Sequence, residues 1–293
     1  MSKQSILLSL LLTLISFFWA GSFIVVSVTV DEIPAVHLGF LRFLVATPLM
    51  FIVLRARGQL CLPSKKLLPS FGVLGVTGVT VLYIFQYFGV ANTNASTSGV
   101  LINTNVIFIA LFSLLFLKER FSLRKSIGII LSFIGVVFVV LAQLVNEAIQ
   151  FITSFFIGVI FIISSALCWA VYSILGKQLL GRYDEITVTA YAFLFGTLFY
   201  VPLALPGLSE TVMHLSIAGL IAVGYLAVVC SLFAYVGWYY ALKHTDASKA
   251  AVFLNFIPLF TIILSLFSGE SITLFFVGGS ILIISGVYLT QRG

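Results

Sequence analysis

The sequence predicts an all-α membrane protein, with ten transmembrane helices arranged as two inverted five-helix repeats and both termini in the cytoplasm. Three observations lead there. The 293 residues are 61% hydrophobic and only 8% charged, with a mean hydropathy of +1.22, whereas a soluble domain carries about 25% charged residues. The cations fall on alternate connections between apolar runs. Sequence from near residue 90 also returns near residue 240.

The spans follow from length. A helix needs about 20 apolar residues to cross a hydrocarbon layer of roughly 30 Å. Runs of that kind cover residues 6–30, 35–54, 68–90, 95–117, 124–143, 155–176, 186–205, 213–239, 248–268 and 272–290. Residues 6–30 carry no charge and exceed the 7–15-residue core typical of a signal peptide, so they are expected to stay as the first helix. The least hydrophobic connection, "AQLVNEAIQFITS" (142–154), lies at the centre of the chain. It divides the chain into a first repeat, 6–143, a linker, 144–154, and a second repeat, 155–290. The connections are short and leave no room for a soluble domain.

Charge then sets the orientation. Lys3 precedes the first span, while Arg55, Arg57, Lys65 and Lys66 follow the second. Lys118, Arg120, Arg124 and Lys125 follow the fourth, Lys177 and Arg182 the sixth, Lys243 and Lys249 the eighth, and Arg292 the tenth. The other connections contain neither Lys nor Arg, and only Arg42 is left over, well within the second span rather than at a span end. Cations accumulate on the cytoplasmic side, which puts both termini there. The net charge of +6 is therefore a topology signal and calls for no nucleic-acid partner. Cys61, Cys168 and Cys230 are scattered and form no CxxC pair, so neither a disulfide framework nor a metal site is expected.

The repeat shows in several places. "YFGVANTNASTSGVLIN" (87–103) aligns with "YYALKHTDASKAAVFLN" (239–255), and "FFWAGS" (17–22) with "LCWAVY" (167–172). "LFLKE" (115–119) returns as "LFSGE" (266–270), and Gly128 and Gly135 align with Gly279 and Gly286. An odd number of helices per repeat turns the second copy over. Glu119 then sits in a cytoplasmic loop among cations, and Glu270 in an outer loop without them. Inverted repeats of this kind are a mark of secondary transporters, because mirrored halves can exchange which side is open.

These elements carry a resemblance. "FFWAGSF" and "LCWAVYS", "LRFLVATPL", and the loop-to-helix stretches "NASTSGVLINTNVIFIALFSLLFLKE" and "DASKAAVFLNFIPLFTIILSLFSGE" together resemble the EamA family of the drug/metabolite transporter superfamily. The resemblance covers nearly the whole chain as two repeats. It implies export of amino acids or other small metabolites through a central cavity between the halves. The family often has Pro in both the fourth and the ninth helix. Here Pro258 stands in the ninth, as a candidate kink or gate, but "NTNVIF" has no counterpart, so the fourth is expected to be less kinked.

Candidate cavity residues are the polar and aromatic side chains at mid-span. Arg42 lies about five residues inside its helix, roughly 8 Å deep. A cation there either holds a substrate carboxylate or reaches out to headgroups or to Asp31 and Glu32. Asn103, Asn105 and Asn255, with Gln86, are buried amides that must find partners across helices or in a wet cavity. Asn103 and Asn255 occupy matching repeat positions, as do Trp19 and Trp169. Tyr83, Tyr87, Tyr172, Tyr235, Trp238 and Tyr239 add aromatic surface with polar handles. Ser22 either contacts a ligand or bonds its own helix backbone. Gly72, Gly75 and Gly78 form a stripe fit for close helix contact.

No clustered His, no phosphate-cradling loop and no dinucleotide glycine motif occurs, so no cofactor and no ATP-driven cycle is expected. A secondary transporter is the leading reading. A passive channel or lipid scramblase is the alternative, and a membrane-embedded enzyme would need a catalytic cluster at bilayer depth. A phosphate-bearing substrate would call for several cavity cations, and an organic cation for a carboxylate inside the membrane. A neutral or zwitterionic solute, amino acids first, fits the aromatic and amide lining better. Every carboxylate and His lies in or near a loop, so facilitated diffusion or exchange is expected rather than proton coupling. The sequence is compatible with a monomer or a homodimer in a cell membrane.

Overall fold

The computed structural model describes residues 3–117, 122–144, 149–267 and 273–292, and all regular structure among them is helical. Helix α1 is Lys3–Thr29 and α2 is Ala35–Ala56. Helix α3 is composite: Leu68–Gly75, a π-helical stretch Val76–Thr80, then Val81–Asn92. Helix α4 comprises Ala95–Leu101, a 3-10 turn Ile102–Thr104, and Asn105–Leu117. Helix α5 is Leu123–Leu144, α6 is Ile149–Leu179 and α7 is Glu185–Ala204. Helix α8 is Ile217–Gly224, a π-helical Tyr225–Phe233, and Ala234–His244. Helix α9 is Ala247–Ala251, a 3-10 turn Val252–Asn255, and Phe256–Phe267, and α10 is Leu274–Arg292.

Seven helices among the described residues are long and apolar enough to cross a bilayer, and three apolar stretches are shorter, at 126–139, 253–267 and 274–286. Helix starts carry side-chain caps where the sequence offers them. Asn94 Oδ1 accepts from Thr97 N at 2.8 Å, and Asp184 Oδ1 accepts from Ile186 N and Thr187 N, both at 3.0 Å. Ser216 Oγ accepts from Gly219 N at 3.0 Å. Each cap satisfies an orphan N–H of a first turn and contributes about 1 kcal/mol.

Three expectations need correcting. The linker does not extend to residue 154, because α6 begins at Ile149; "IQFITS" has no Gly or Pro to stop a helix growing upstream. The eighth span starts at Ile217 rather than near residue 213. Gly207, at φ 77°, turns the chain into a short helix, Leu208–Met213, before Ser216 caps α8. Finally, α4 is interrupted at the same place as α9, although it has no proline. Thr104 Oγ1 donates to the Leu101 carbonyl at 2.8 Å, stabilising in α4 a turn that Pro258 follows in α9. Glu119 and Glu270 lie outside the described residues.

Helix pairs in the bundle are α2 with α7, α3 with α6, α1 with α9, α4 with α9, and α5 with α10. Small residues set the closest approaches. A Cβ on Gly75 would lie 2.5 Å from the Gly196 amide nitrogen, so α3 and α7 touch backbone to backbone. Gly78 leaves room for the Tyr172 ring, whereas Gly72 faces open space. The glycine stripe thus acts at two of its three positions. Gly135 and Gly279 bring α5 and α10 together in the same way.

Residues 150 or 152 positions apart meet at the centre. The Trp19 and Trp169 rings are 5.0 Å apart, as are Phe43 and Phe193. Thr47 Oγ1 is 2.8 Å from Thr197 Oγ1, and Tyr235 Oη is 2.9 Å from Tyr83 Oη. Asn103 Nδ2 donates to Asn255 Oδ1 at 3.0 Å.

Candidate functional site

Where α1, α3, α4, α6 and α9 converge, they leave a cavity lined by Trp19, Ser22, Tyr83, Gln86, Asn105 and Trp169 together with Phe23, Leu82, Ile102, Leu254 and Ile257. Its volume is about 40 Å³, room for a few waters. Pockets that enclose drug-sized ligands measure roughly 300–1,000 Å³. A metabolite would fit only after helices or side chains move apart.

The two π-helical stretches lie outside the cavity lining, and side chains of the lining and of its support bond to them. A π turn shifts the backbone bonding by one residue and leaves carbonyls free. Hydroxyls five positions on brace them: Thr80 Oγ1 lies 3.5 Å from Gly75 O, and Ser231 Oγ donates to Leu226 O at 2.9 Å. Carbonyls within the two stretches accept from aromatic side chains. Tyr235 Oη donates to Gly78 O at 2.7 Å, and Trp19 Nε1 donates to Cys230 O at 3.1 Å. Residue 230 stands 152 positions after residue 78, the same separation as Tyr83 and Tyr235. Trp169, the counterpart of Trp19, has no such bond. Its Nε1, like Asn105 Oδ1, is buried without a hydrogen-bond partner among the described residues. Each such group, if dry, costs about 1–3 kcal/mol, so both are poised to take a polar visitor.

Arg42 is fully buried. Its Nε donates to Ser231 Oγ at 2.5 Å and its Nη1 to Tyr87 Oη at 2.9 Å. The guanidinium carbon sits 4.0 Å from the centre of the Tyr83 ring and 5.2 Å from that of Phe43. Snorkelling to headgroups is thereby corrected: neighbouring helices enclose the side chain. Pairing with the loop carboxylates is also corrected for Glu32, whose two oxygens accept from Ser216 N at 2.7 Å and Ser216 Oγ at 2.9 Å.

The remaining candidates divide. Tyr235 lies immediately behind Tyr83, and Tyr87 holds Arg42, so neither lines the cavity. Asn103 and Asn255 bond each other as interhelical links rather than facing the void. Tyr172 and Tyr239 stack at 5.0 Å in the packed interior, and Trp238 Nε1 donates to Ser173 Oγ at 3.3 Å. Ser22 bonds its own helix backbone, its Oγ donating to Trp19 O at 2.6 Å, and it also lines the cavity. Pro258 is buried one residue after Ile257, which lines the cavity. Sequence reading missed the apolar lining and Ser231. The serine had a faint signal, as a hydroxyl inside an otherwise apolar run; Phe23, Leu82, Ile102, Leu254 and Ile257 had none.

Comparison with known proteins agrees with this architecture. The model of the EamA-like transporter family matches residues 6–141 and again 156–292. An uncharacterized transporter of Archaeoglobus fulgidus is 39% identical over 283 residues, covering 96% of each chain. The uncharacterized transporter YyaM of Bacillus subtilis is 26% identical and spans 95% of this chain and 91% of its own. A solved crystal structure with 18% identity superposes with a TM-score of 0.67 over 95% of this chain and 94% of the other, and so shares the fold. The chain belongs to the EamA-like transporter family and is a multi-pass transporter of the cell membrane.

Proposed function

We propose that this transporter is a secondary carrier of small amphipathic metabolites, amino acids foremost, working by alternating access through the cavity. Ten spans form two inverted five-helix repeats with cytoplasmic termini. The observation that carries this reading is the set of central contacts between residues 150 or 152 positions apart, such as Tyr83 with Tyr235 and Asn103 with Asn255. Equivalent positions of two copies touch only near an axis relating the copies, and two such halves can rock against a shared site.

The solute class follows from the lining. Trp169 Nε1–H offers a donor and Asn105 Oδ1 an acceptor, both without protein partners, amid Trp19, Phe23, Leu82 and Ile257. A small molecule with one polar head and an apolar body matches that set. The cavity has room for only a few waters, about 40 Å³, which supports a carrier that changes shape around its solute over an open pore.

The test is counterflow. Proteoliposomes preloaded with unlabelled leucine should take up labelled leucine transiently above its equilibrium level, and an imposed pH gradient alone should not concentrate it. Flux that never saturates, or flip-flop of labelled lipid at the same rate, would favour a channel or scramblase. The orientation has its own check. A membrane-impermeant maleimide should reach native Cys61 in inside-out but not right-side-out vesicles, since the 58–66 connection is expected in the cytoplasm. Labelling from outside would end the inverted-repeat reading.

A further inference from the structure

We infer that Arg42 is the docking point for a carboxylate carried by the transported solute, and that Tyr83 is the lid between them. The inference deepens, and rests on, the carrier reading above. A charge within a membrane-spanning bundle normally pairs with an opposite charge or faces water. Arg42 does neither. It is fully buried, and no carboxylate among the described residues lies in ion-pair range of it. Two of its nitrogens are bonded to hydroxyls, while Nη2 has no hydrogen-bond partner among the described residues. A guanidinium presents a fork of donors that matches a carboxylate. Here one prong is left over, and no described carboxylate faces it.

The position of the ring supplies the route. The Tyr83 ring lies against the guanidinium, with its centroid 4.0 Å from Cζ, and the same side chain lines the cavity. Arg42 is therefore one ring away from the solute space. Tyr83 is held there through its hydroxyl, which lies 2.9 Å from the Tyr235 oxygen, while the Tyr235 proton goes to the Gly78 carbonyl. When Tyr83 swings aside, the ring's negative face is exchanged for the solute's carboxylate. The apolar tail then lies among Phe23, Leu82, Ile102 and Leu254. The site selects a carboxylate on a branched or aromatic apolar body.

Three probes sharing one branched tail separate the possibilities: L-leucine, 4-methylpentanoate and 3-methylbutylamine. With the purified full-length protein, leucine and 4-methylpentanoate should raise the melting temperature and the amine should not. Arg42→Gln should abolish those shifts. Tyr83→Leu keeps the cation and removes its lid, so it should tighten the apparent Kd for 4-methylpentanoate by roughly 2- to 30-fold, the equivalent of one lost cation–π contact. Should Arg42→Gln fail to fold, the Tyr83→Leu arm decides alone. The inference is overturned if the amine stabilises as well as the carboxylates, if neither carboxylate shifts the wild type up to its solubility limit, or if Tyr83→Leu binds no tighter. Counterflow keeps the two readings apart. Carboxylate binding without counterflow would sink the carrier and leave the Arg42 site, whereas counterflow indifferent to the head group would do the reverse.

Discussion

Gly75→Leu should leave little folded protein, while Gly72→Leu, one turn earlier on the same helix, should be tolerated. The two glycines look alike in the sequence, and the difference lies in what faces them. A Cβ at position 75 would meet the Gly196 amide nitrogen at 2.5 Å, the Phe195 Cβ at 2.8 Å and the Phe195 carbonyl carbon at 2.9 Å. Two of those are backbone atoms of α7 and cannot swing away, so α3 and α7 must separate along the whole crossing. Overpacking of this kind costs about 1–3 kcal/mol even where side chains can adjust, and here they cannot. The contact is reciprocal, because a Cβ on Gly196 would lie 2.8 Å from the Gly75 carbonyl oxygen. At Gly72 nothing lies within 4 Å, and leucine is a better helix former than glycine by up to about 1 kcal/mol. Yield and melting temperature after detergent purification measure the contrast. Equal behaviour of the two variants would mean that the α3–α7 crossing is looser than described.

The same pair shows what could be read in advance. Hydrophobic length and cation spacing mark where helices run, since bilayer thickness imposes one length on every span. Asn94, Asp184 and Ser216 mark helix starts because an exposed first turn needs an acceptor. A glycine stripe announces close packing without saying what it packs against. The site was legible only where it is polar. Trp19, Tyr83, Gln86, Asn105 and Trp169 stand out against an apolar background, and the structure brings them to one cavity. Leu82 or Ile257 could not be told from a lipid-facing neighbour, because lipid tails and a cavity's apolar wall select the same side chains. The π-helical stretches left no mark either. They change which carbonyl a residue bonds, not which residue is suited to the helix, and they rotate Tyr83 and Tyr235 relative to any regular-helix projection. That rotation helps explain why Tyr235 sits behind the cavity wall instead of in it.

Removing the Glu32 carboxylate should open one end of the transporter, the outer one on the proposed orientation. The α1–α2 turn reaches across to the start of α8, where Glu32 Oε1 accepts from Ser216 N at 2.7 Å and Oε2 from Ser216 Oγ at 2.9 Å. The opposite end has a counterpart. Tyr183, in the α6–α7 turn, accepts through its Oη from Ser64 N at 2.9 Å, just before α3, and Tyr191 Oη donates to Cys61 O at 2.9 Å. Ser216 stands 152 positions after Ser64, the separation of Tyr83 and Tyr235, so the α1–α2 turn clasps the start of α8 as the α6–α7 turn clasps the start of α3. Both clasps are closed here, in keeping with a cavity of about 40 Å³. They differ in strength, because hydrogen bonds to a charged group contribute about 1.5–3 kcal/mol and neutral ones about 0.5–1.5 kcal/mol. Glu32→Ala should therefore shift the equilibrium toward outward-open by roughly 10- to 100-fold, and Tyr183→Phe toward inward-open by no more than about 10-fold. The reporter is a cysteine at Phe23, on the half of α1 nearer Glu32 where it lines the cavity, in a background with Cys61, Cys168 and Cys230 replaced by serine. A membrane-impermeant maleimide applied from outside should label it faster in Glu32→Ala and more slowly in Tyr183→Phe. If Glu32→Ala leaves the rate unchanged, the carboxylate is a helix cap and no clasp; if both variants speed labelling, the two ends are not coupled through one rocking motion.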